Sequence, residues 1–290
     1  MRTKLALTFI LLFTVPFLPL AHSAQKKIGV MVSIPPFVEF VERIGGDRVS
    51  VTMMIPPGAN PHTYEPLPSQ LRALGQTQLF VAVGSGIEFE LTWLDKIKSL
   101  NPTIEICDVS KGIERLNFDK KESAHHHSRF DPHTWLSPVN AIQMVKNIEK
   151  TLLILDPEGK ALYEKEAFSY IEELKKLDKI NRSNFGGLKN REFLVYHPAW
   201  GYFAKEYGLK EVAIEYEGKE PSARRFSDML GQMKNSNLKV IFASPLMSAK
   251  SAEVVAKEIG AKIELIDELS QNYIQNLNSV SEKIRDALKG

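Results

Sequence analysis

Cysteine is almost missing from this chain: Cys107 is the only one in 290 residues, so no internal disulfide can form in any compartment. Its setting, Ile104-Glu105-Ile106-Cys107, reads as a strand carrying a buried structural thiol. Excess charge is missing too. Lys and Arg total 37 against 35 Asp and Glu, a formal net charge of +2, and without Arg2 and Lys4 the balance is 35 against 35. That evenness excludes an electrostatic nucleic-acid binder, which needs clustered positive charge. No His-Glu-x-x-His helix occurs, which removes the commonest zinc-hydrolase signature. Long apolar runs are confined to Leu5–Leu20, and Thr8, Thr14, Pro16 and Pro19 break that one. It falls short of the roughly 20 apolar residues of a membrane span.

That run has another reading. Arg2 and Lys4 precede it, Ala21-His22-Ser23-Ala24 follows it, and the chain turns polar at Gln25-Lys26-Lys27. A charged start, a short apolar stretch and a small-residue exit describe a secretory signal peptide, with cleavage expected after Ala24. No cysteine lies near that point, so the expectation is a free periplasmic protein without a lipid anchor. The remaining 266 residues, 25–290, suit two domains.

Short β-branched runs alternate with helical periodicity. Ile28–Ser33, Val49–Ile55, Leu79–Val83 and Ile104–Cys107 read as buried strands in the first half. Phe193–His197, Val212–Glu215, Val240–Ala243 and Ile263–Ile266 repeat the pattern in the second. Such alternation predicts α/β units with parallel sheets. An ungapped shift of 163 residues sets Pro35 on Pro198, Val32 on Val195, Phe40 on Phe203, Gly45 on Gly208 and Val49 on Val212, so the halves are expected to be alike. Between them, Asp156-Pro157 reads as an N-cap with a first-turn proline. An apolar stripe of Leu162, Tyr163, Ala167, Tyr170, Ile171, Leu174, Leu177 and Ile180 then runs to Gly186-Gly187. About 27 helical residues would span roughly 40 Å, a stiff connector. The expected organisation is a signal peptide at 1–24, an N-terminal α/β domain at 25–157, a rigid connecting helix at 158–186 and a C-terminal α/β domain at 187–290, with a metal site in the cleft.

The histidines carry the chemistry. His62 stands in Pro56-Pro57-Gly58-Ala59-Asn60-Pro61-His62-Thr63-Tyr64-Glu65, His133 in Asp131-Pro132-His133-Thr134-Trp135-Leu136, and His197 in Val195-Tyr196-His197-Pro198-Ala199-Trp200. Ligands in α/β domains gather outside the carboxyl ends of parallel strands, so these loops could bring three imidazoles to one cleft. Neutral imidazole suits Zn²⁺, and the neighbouring prolines lower the entropy lost in ordering each loop. Spacing alone leaves a set of unrelated loop histidines equally open.

These motifs, with His197-Pro198-Ala199-Trp200-Gly201-Tyr202-Phe203 and Glu217-Gly218-Lys219-Glu220-Pro221-Ser222, resemble the cluster A-I (cluster 9) metal-binding proteins of ABC importers, in their zinc-specific, ZnuA-like branch. The resemblance covers essentially the whole chain after residue 24. It implies that His62, His133 and His197 are metal ligands and that a carboxylate near the last strand is the fourth. Ile266-Asp267-Glu268-Leu269 resembles the family's Asp-Pro-Leu pattern, with Glu268 replacing the proline, so Asp267 is the expected fourth ligand; water or Glu65 is the alternative. Manganese importers of the family usually carry Glu at the third position, so His197 favours Zn²⁺ on ligand softness. A manganese or iron importer protein is the alternative function. An adhesin and a zinc hydrolase are more distant ones, and the hydrolase would need an open position at the metal. Ser123-Ala124-His125-His126-His127-Ser128 sits where zinc-specific members carry a His-rich insertion, and either gathers metal or is a solvated loop. Glu65 and Asp131 are candidates for orienting the imidazoles, and Trp135 and Trp200 for keeping the cleft dry. The implied role is that of a non-enzymatic monomer that carries Zn²⁺ as cargo. Its partners would be a membrane permease with its cytoplasmic ATPase, and a second periplasmic zinc carrier; release would loosen the loops around His62 and Asp267.

Overall fold

The computed structural model of the protein describes residues 27–117, 130–215, 238–246 and 249–289. The expected signal peptide, the His125–His127 run and the Glu217–Ser222 motif lie outside these residues. All eight expected strands are present: β1 (Ile28–Val32), β2 (Val49–Met53), β3 (Leu79–Ala82), β4 (Glu105–Asp108), β5 (Glu192–Val195), β6 (Lys210–Ala213), β7 (Val240–Ala243) and β8 (Lys262–Leu265). They form two four-stranded sheets of one topology, β2-β1-β3-β4 and β6-β5-β7-β8, parallel throughout. The inner strands explain the β-branched runs. Every residue of β3 is buried, as a strand covered on both faces must be, whereas edge strand β2 alternates buried or half-buried residues with exposed ones.

The described helices are α1 (Pro36–Gly45), α2 (Pro68–Leu74), α3 (Glu88–Leu100), α4 (Pro138–Leu155), α5 (Lys160–Phe185), α6 (Gly201–Tyr207), α7 (Ala249–Ile259) and α8 (Tyr273–Lys289). The internal likeness is structural: Val32 ends β1 as Val195 ends β5, and Phe40 and Phe203 are buried on α1 and α6. Gly208 terminates α6 at φ +64°, a left-handed position where glycine carries no Cβ penalty.

The connector is α5, 26 residues long and about 39 Å by its rise per residue. It packs against α1, α4 and α8 through Tyr163, Ala167, Tyr170, Leu174 and Leu177, all buried. The stripe drifts at its far end. Ile180 is exposed while Asn181 is buried, because Asn181 Nδ2 donates to the Tyr207 hydroxyl of α6 at 3.1 Å. The start also differs from expectation. Pro157–Gly159 form a 3₁₀ turn with no side-chain cap from Asp156, because the carboxylate is already held by Arg48 Nε (2.6 Å), Arg48 Nη2 (2.7 Å) and the Tyr163 hydroxyl (2.5 Å). Two charge-assisted bonds outweigh one backbone cap.

The largest apolar core runs without a break from the first sheet across α5 and into α6 and α8, and a smaller one covers the other face of the second sheet. Tyr273, at the start of α8, meets Phe40 edge-on with centroids 4.7 Å apart. Such a pair adds about 0.5–1.5 kcal/mol beyond burial. Cys107 is buried, and that burial pushes its thiol up to about 11, as expected of an inert structural cysteine. Among the described residues no helix is long and apolar enough to cross a membrane.

Candidate metal centre

His62 lies in the loop between β2 and α2, which is built from successive tight turns. Ala59 N–H donates to Pro56 O, Gly58 sits at φ +86°, and His62 N–H donates to Asn60 Oδ1 at 2.8 Å. An Asn bonding the backbone two residues on is a local turn device, and here it aims the imidazole. His133 is fixed by its own neighbour: Asp131 Oδ1 accepts from His133 N at 2.9 Å and from its Nδ1 at 2.8 Å. Thr134–Leu136 then make a 3₁₀ turn. Ser137 caps α4 by accepting from Asn140 N, with Pro138 in the first turn. His197 follows β5, an inner strand of the second sheet.

Each imidazole spends Nδ1 on a carboxylate. His62 Nδ1 donates to Glu88 Oε2 at 2.6 Å, His133 to Asp131 as above, and His197 Nδ1 to Glu215 Oε2 at 2.6 Å. This leaves Nε2 of all three as the available ligand atom, with the ring orientation locked. The rings stand 5.3–5.6 Å apart, centroid to centroid, in a nearly equilateral triangle. Their ligand atoms lie within 4.8 Å of one another. The cavity between them measures about 80 Å³ and is lined also by Trp135, Glu215, Leu246, Glu268 and Leu269. Small-molecule pockets run to roughly 300–1,000 Å³; this one has room for an ion and little else.

The histidines sense different surroundings. Burial lowers the His133 pKa, and Asp131 only partly offsets it. Burial also acts to lower that of His197, but Glu215, with Glu268 and Glu211, more than reverses the effect and raises it. Burial raises Glu268 above the usual carboxylate range. Glu211 is pushed up to about 8, by burial first and by the Asp131 charge as well. Its Oε1 accepts from Ala199 N at 3.1 Å and Trp200 N at 2.9 Å, pinning the turn after His197.

The residues expected from the sequence are distributed unevenly around this centre. His62, His133 and His197 converge. Asp267 does not line the cavity: its Oδ1 accepts the Leu269 N–H at 2.8 Å and its carbonyl accepts from Asn276 Nδ2 at 2.6 Å, so it serves the turn leading into α8. Its neighbour Glu268, 8% exposed, lines the cavity instead, beside Glu215, which is already engaged with His197 Nδ1. Glu65 is exposed. Asp131 orients an imidazole, while the corresponding roles of Glu88 and Glu215 went unread. Glu88 had no local signal. Nor had Glu215: the register of β5 on β6, which pairs Val195 with Ala213, is what sets His197 beside Glu215 two residues on.

Comparison with known proteins agrees with this geometry. Residues 30–287 match the model of the ZnuA family, described as zinc-uptake complex component A, periplasmic. The high-affinity zinc uptake system protein ZnuA of Bacillus subtilis (strain 168) is 36% identical over 260 residues, covering 86% of this chain and 81% of that one. The zinc-binding lipoprotein AdcA of Streptococcus pneumoniae (strain ATCC BAA-255 / R6) is 32% identical over 288 residues, and the match spans 92% of this chain but 56% of AdcA. The crystal structure of a ZnuA 138–173 deletion mutant with zinc bound superposes with a TM-score of 0.84 at 38% identity, covering 90% of this chain and 98% of that one. A common fold, a matching family model over nearly the whole chain and three oriented imidazoles in a cavity of ionic size lead to one conclusion: the chain belongs to the ZnuA family of periplasmic zinc-uptake components.

Proposed function

We propose that the protein captures Zn²⁺ outside the cytoplasmic membrane and delivers it to the permease of an ABC importer driven by a cytoplasmic ATPase. The observation that carries this reading is the convergence of three imidazoles whose Nδ1 atoms are all held by carboxylates. His62, His133 and His197 supply three nitrogens. The fourth ligand is Glu268 rather than Asp267, because Glu268 lines the cavity while Asp267 is engaged in a turn. Four protein ligands close a tetrahedral zinc site and leave no position for a reacting water, so the function is carriage and not hydrolysis. Three nitrogens and one carboxylate favour Zn²⁺ over Mn²⁺, whose preferred donors are oxygens. His62 and His133 come from the first half and His197 and Glu268 from the second, so release requires the two halves of the ligand set to part.

Competitive titration of the metal-stripped protein with Zn²⁺ and Mn²⁺, beside a His197→Ala variant, tests the reading. One tight zinc site, weak manganese binding and loss of zinc affinity in the variant are expected. Tight manganese with indifferent zinc would transfer the protein to the manganese branch, and zinc affinity untouched by His197→Ala would remove the three-histidine site.

A further inference from the structure

Glu268 belongs to the second half of the chain, yet its backbone is fastened to the first. The indole Nε1 of Trp135 donates to the Glu268 carbonyl at 2.7 Å. The Tyr273 hydroxyl in turn donates to the Trp135 carbonyl at 2.6 Å. Tyr273 N–H, at the start of α8, donates to Glu39 Oε2 of α1 at 2.6 Å, and Glu39 Oε1 accepts from the Tyr170 hydroxyl of α5 at 2.8 Å. Trp135 and Tyr273 are both essentially inaccessible, at 0% and 2% exposure. These bonds close a loop from α1 through Tyr273 and Trp135 to Glu268, five residues before Tyr273. Trp135 stands two residues after His133, with ring centroids 5.3 Å apart. One side chain thus spans the distance between a ligand histidine of one half and the acidic cavity wall of the other.

We propose that Trp135 is a positioning residue for the fourth ligand: its indole N–H holds the Glu268 backbone so that the carboxylate faces the three imidazoles, with Tyr273 bracing Trp135 from behind. This rests on the reading that Glu268 binds the zinc. The geometry assigns Trp135 more than apolar packing: a buried indole N–H must find an acceptor, and here that acceptor is the main-chain carbonyl of the residue whose side chain lines the cavity. It also makes Glu268 a suture between the halves, with its side chain at the metal and its main chain tied to the first half.

The test is a double-mutant cycle on zinc affinity, read by competition with a chromophoric chelator. The proteins are wild type, Trp135→Phe, Glu268→Gln, the double variant and Tyr273→Phe. Trp135→Phe keeps an aromatic ring and removes the donor. It should raise the zinc Kd roughly 3–10-fold, the range of a single net hydrogen bond. In the Glu268→Gln background the same change should have almost no further effect, because there is no carboxylate left to position. The visible spectrum of bound Co²⁺ should shift in Trp135→Phe toward that of Glu268→Gln. Tyr273→Phe, which removes one oxygen, should act in the same direction by a smaller factor, and it keeps the proposal testable if the Trp135 variant fails to fold. Equal losses from Trp135→Phe with and without Glu268, or an unaltered cobalt spectrum, would overturn the proposal in favour of simple packing on His133. Zinc bound as tightly by Glu268→Gln as by wild type would overturn the ligand assignment beneath it, an outcome distinct from either.

Discussion

Removing the carboxylates behind the imidazoles should weaken zinc binding in an order set by their burial. Glu215 and His197 are paired at 2.6 Å with side chains 7% and 13% exposed, whereas Glu88 and His62, at the same distance, are 30% and 24% exposed. Deleting a partner that orients a metal-bound histidine typically costs 10–100-fold in affinity, or about 1.4–2.8 kcal/mol. Glu215→Ala belongs at the upper end, since its loss leaves a buried ring N–H without an acceptor and water cannot readily replace it. Glu88→Ala belongs near the lower end, because water reaches that pair. Asp131→Ala should match or exceed Glu215→Ala, as Asp131 also holds the His133 backbone N–H. Glu215→Gln keeps an acceptor oxygen and should lose less than the alanine variant. Chelator competition reads the affinities, and thermal unfolding gives an independent measure. Zinc at 1,000 times Kd stabilises the folded state by about 4.1 kcal/mol, and a thirty-fold weaker site at the same zinc concentration by only about 2 kcal/mol. Metal-free melting curves separate this from damage to the fold. An affinity loss for Glu88→Ala equal to or larger than that for Glu215→Ala would refute the burial reasoning.

Three further outcomes are expected. Glu211 should oppose folding at neutral pH: its folded pKa of about 8 exceeds an unfolded value near 4.3, so the folded state binds a proton that the unfolded chain releases between those values. Stability should therefore fall as pH rises through that window, and in Glu211→Gln, followed by denaturant unfolding from pH 4 to 8, this fall should be reduced. Gly201→Ala should weaken zinc binding about tenfold although alanine favours helix, because the added Cβ would lie 2.7 Å from Asp131 Oδ2 and displace the carboxylate that aims His133; isothermal titration checks it. Asp156→Asn should cost about 1.5–3 kcal/mol at pH 7. The hydrogen bonds from Arg48 hold the Asp156 carboxyl below its usual range, so the difference from wild type should shrink as pH falls through that lowered pKa, measured by denaturant unfolding at pH 7 and in acid.

Much of this molecule is legible one segment at a time. Ile28–Val32 and Val240–Ala243 read as strands because both sheet faces are covered, which demands nearly continuous apolar runs. His62, His133 and His197 stand out because turn-forming residues surround them, and Asp131 sits two residues from His133, near enough for a local pattern to show. The 163-residue shift between halves reports two sheets of the same strand order. None of this requires knowing what folds against what.

Tertiary structure decided the rest. Glu88 lies 26 residues from His62 and Glu215 lies 18 from His197, and only the path of a loop and the register of β5 on β6 bring them together. Asp267 and Glu268 are adjacent acids just beyond β8, and sequence cannot say which lines the cavity. Both stand where the chain turns after β8, and the turn that Asp267 closes by accepting the Leu269 N–H leaves Glu268 to line the cavity. Asp156 has the look of a helix cap, but Arg48, 108 residues away, makes a stronger bond to it than a backbone N–H can. Local sequence encodes conformation through sterics and hydrophobic period. Which polar groups finally pair depends on long-range proximity, and on which partner best offsets the cost of burial.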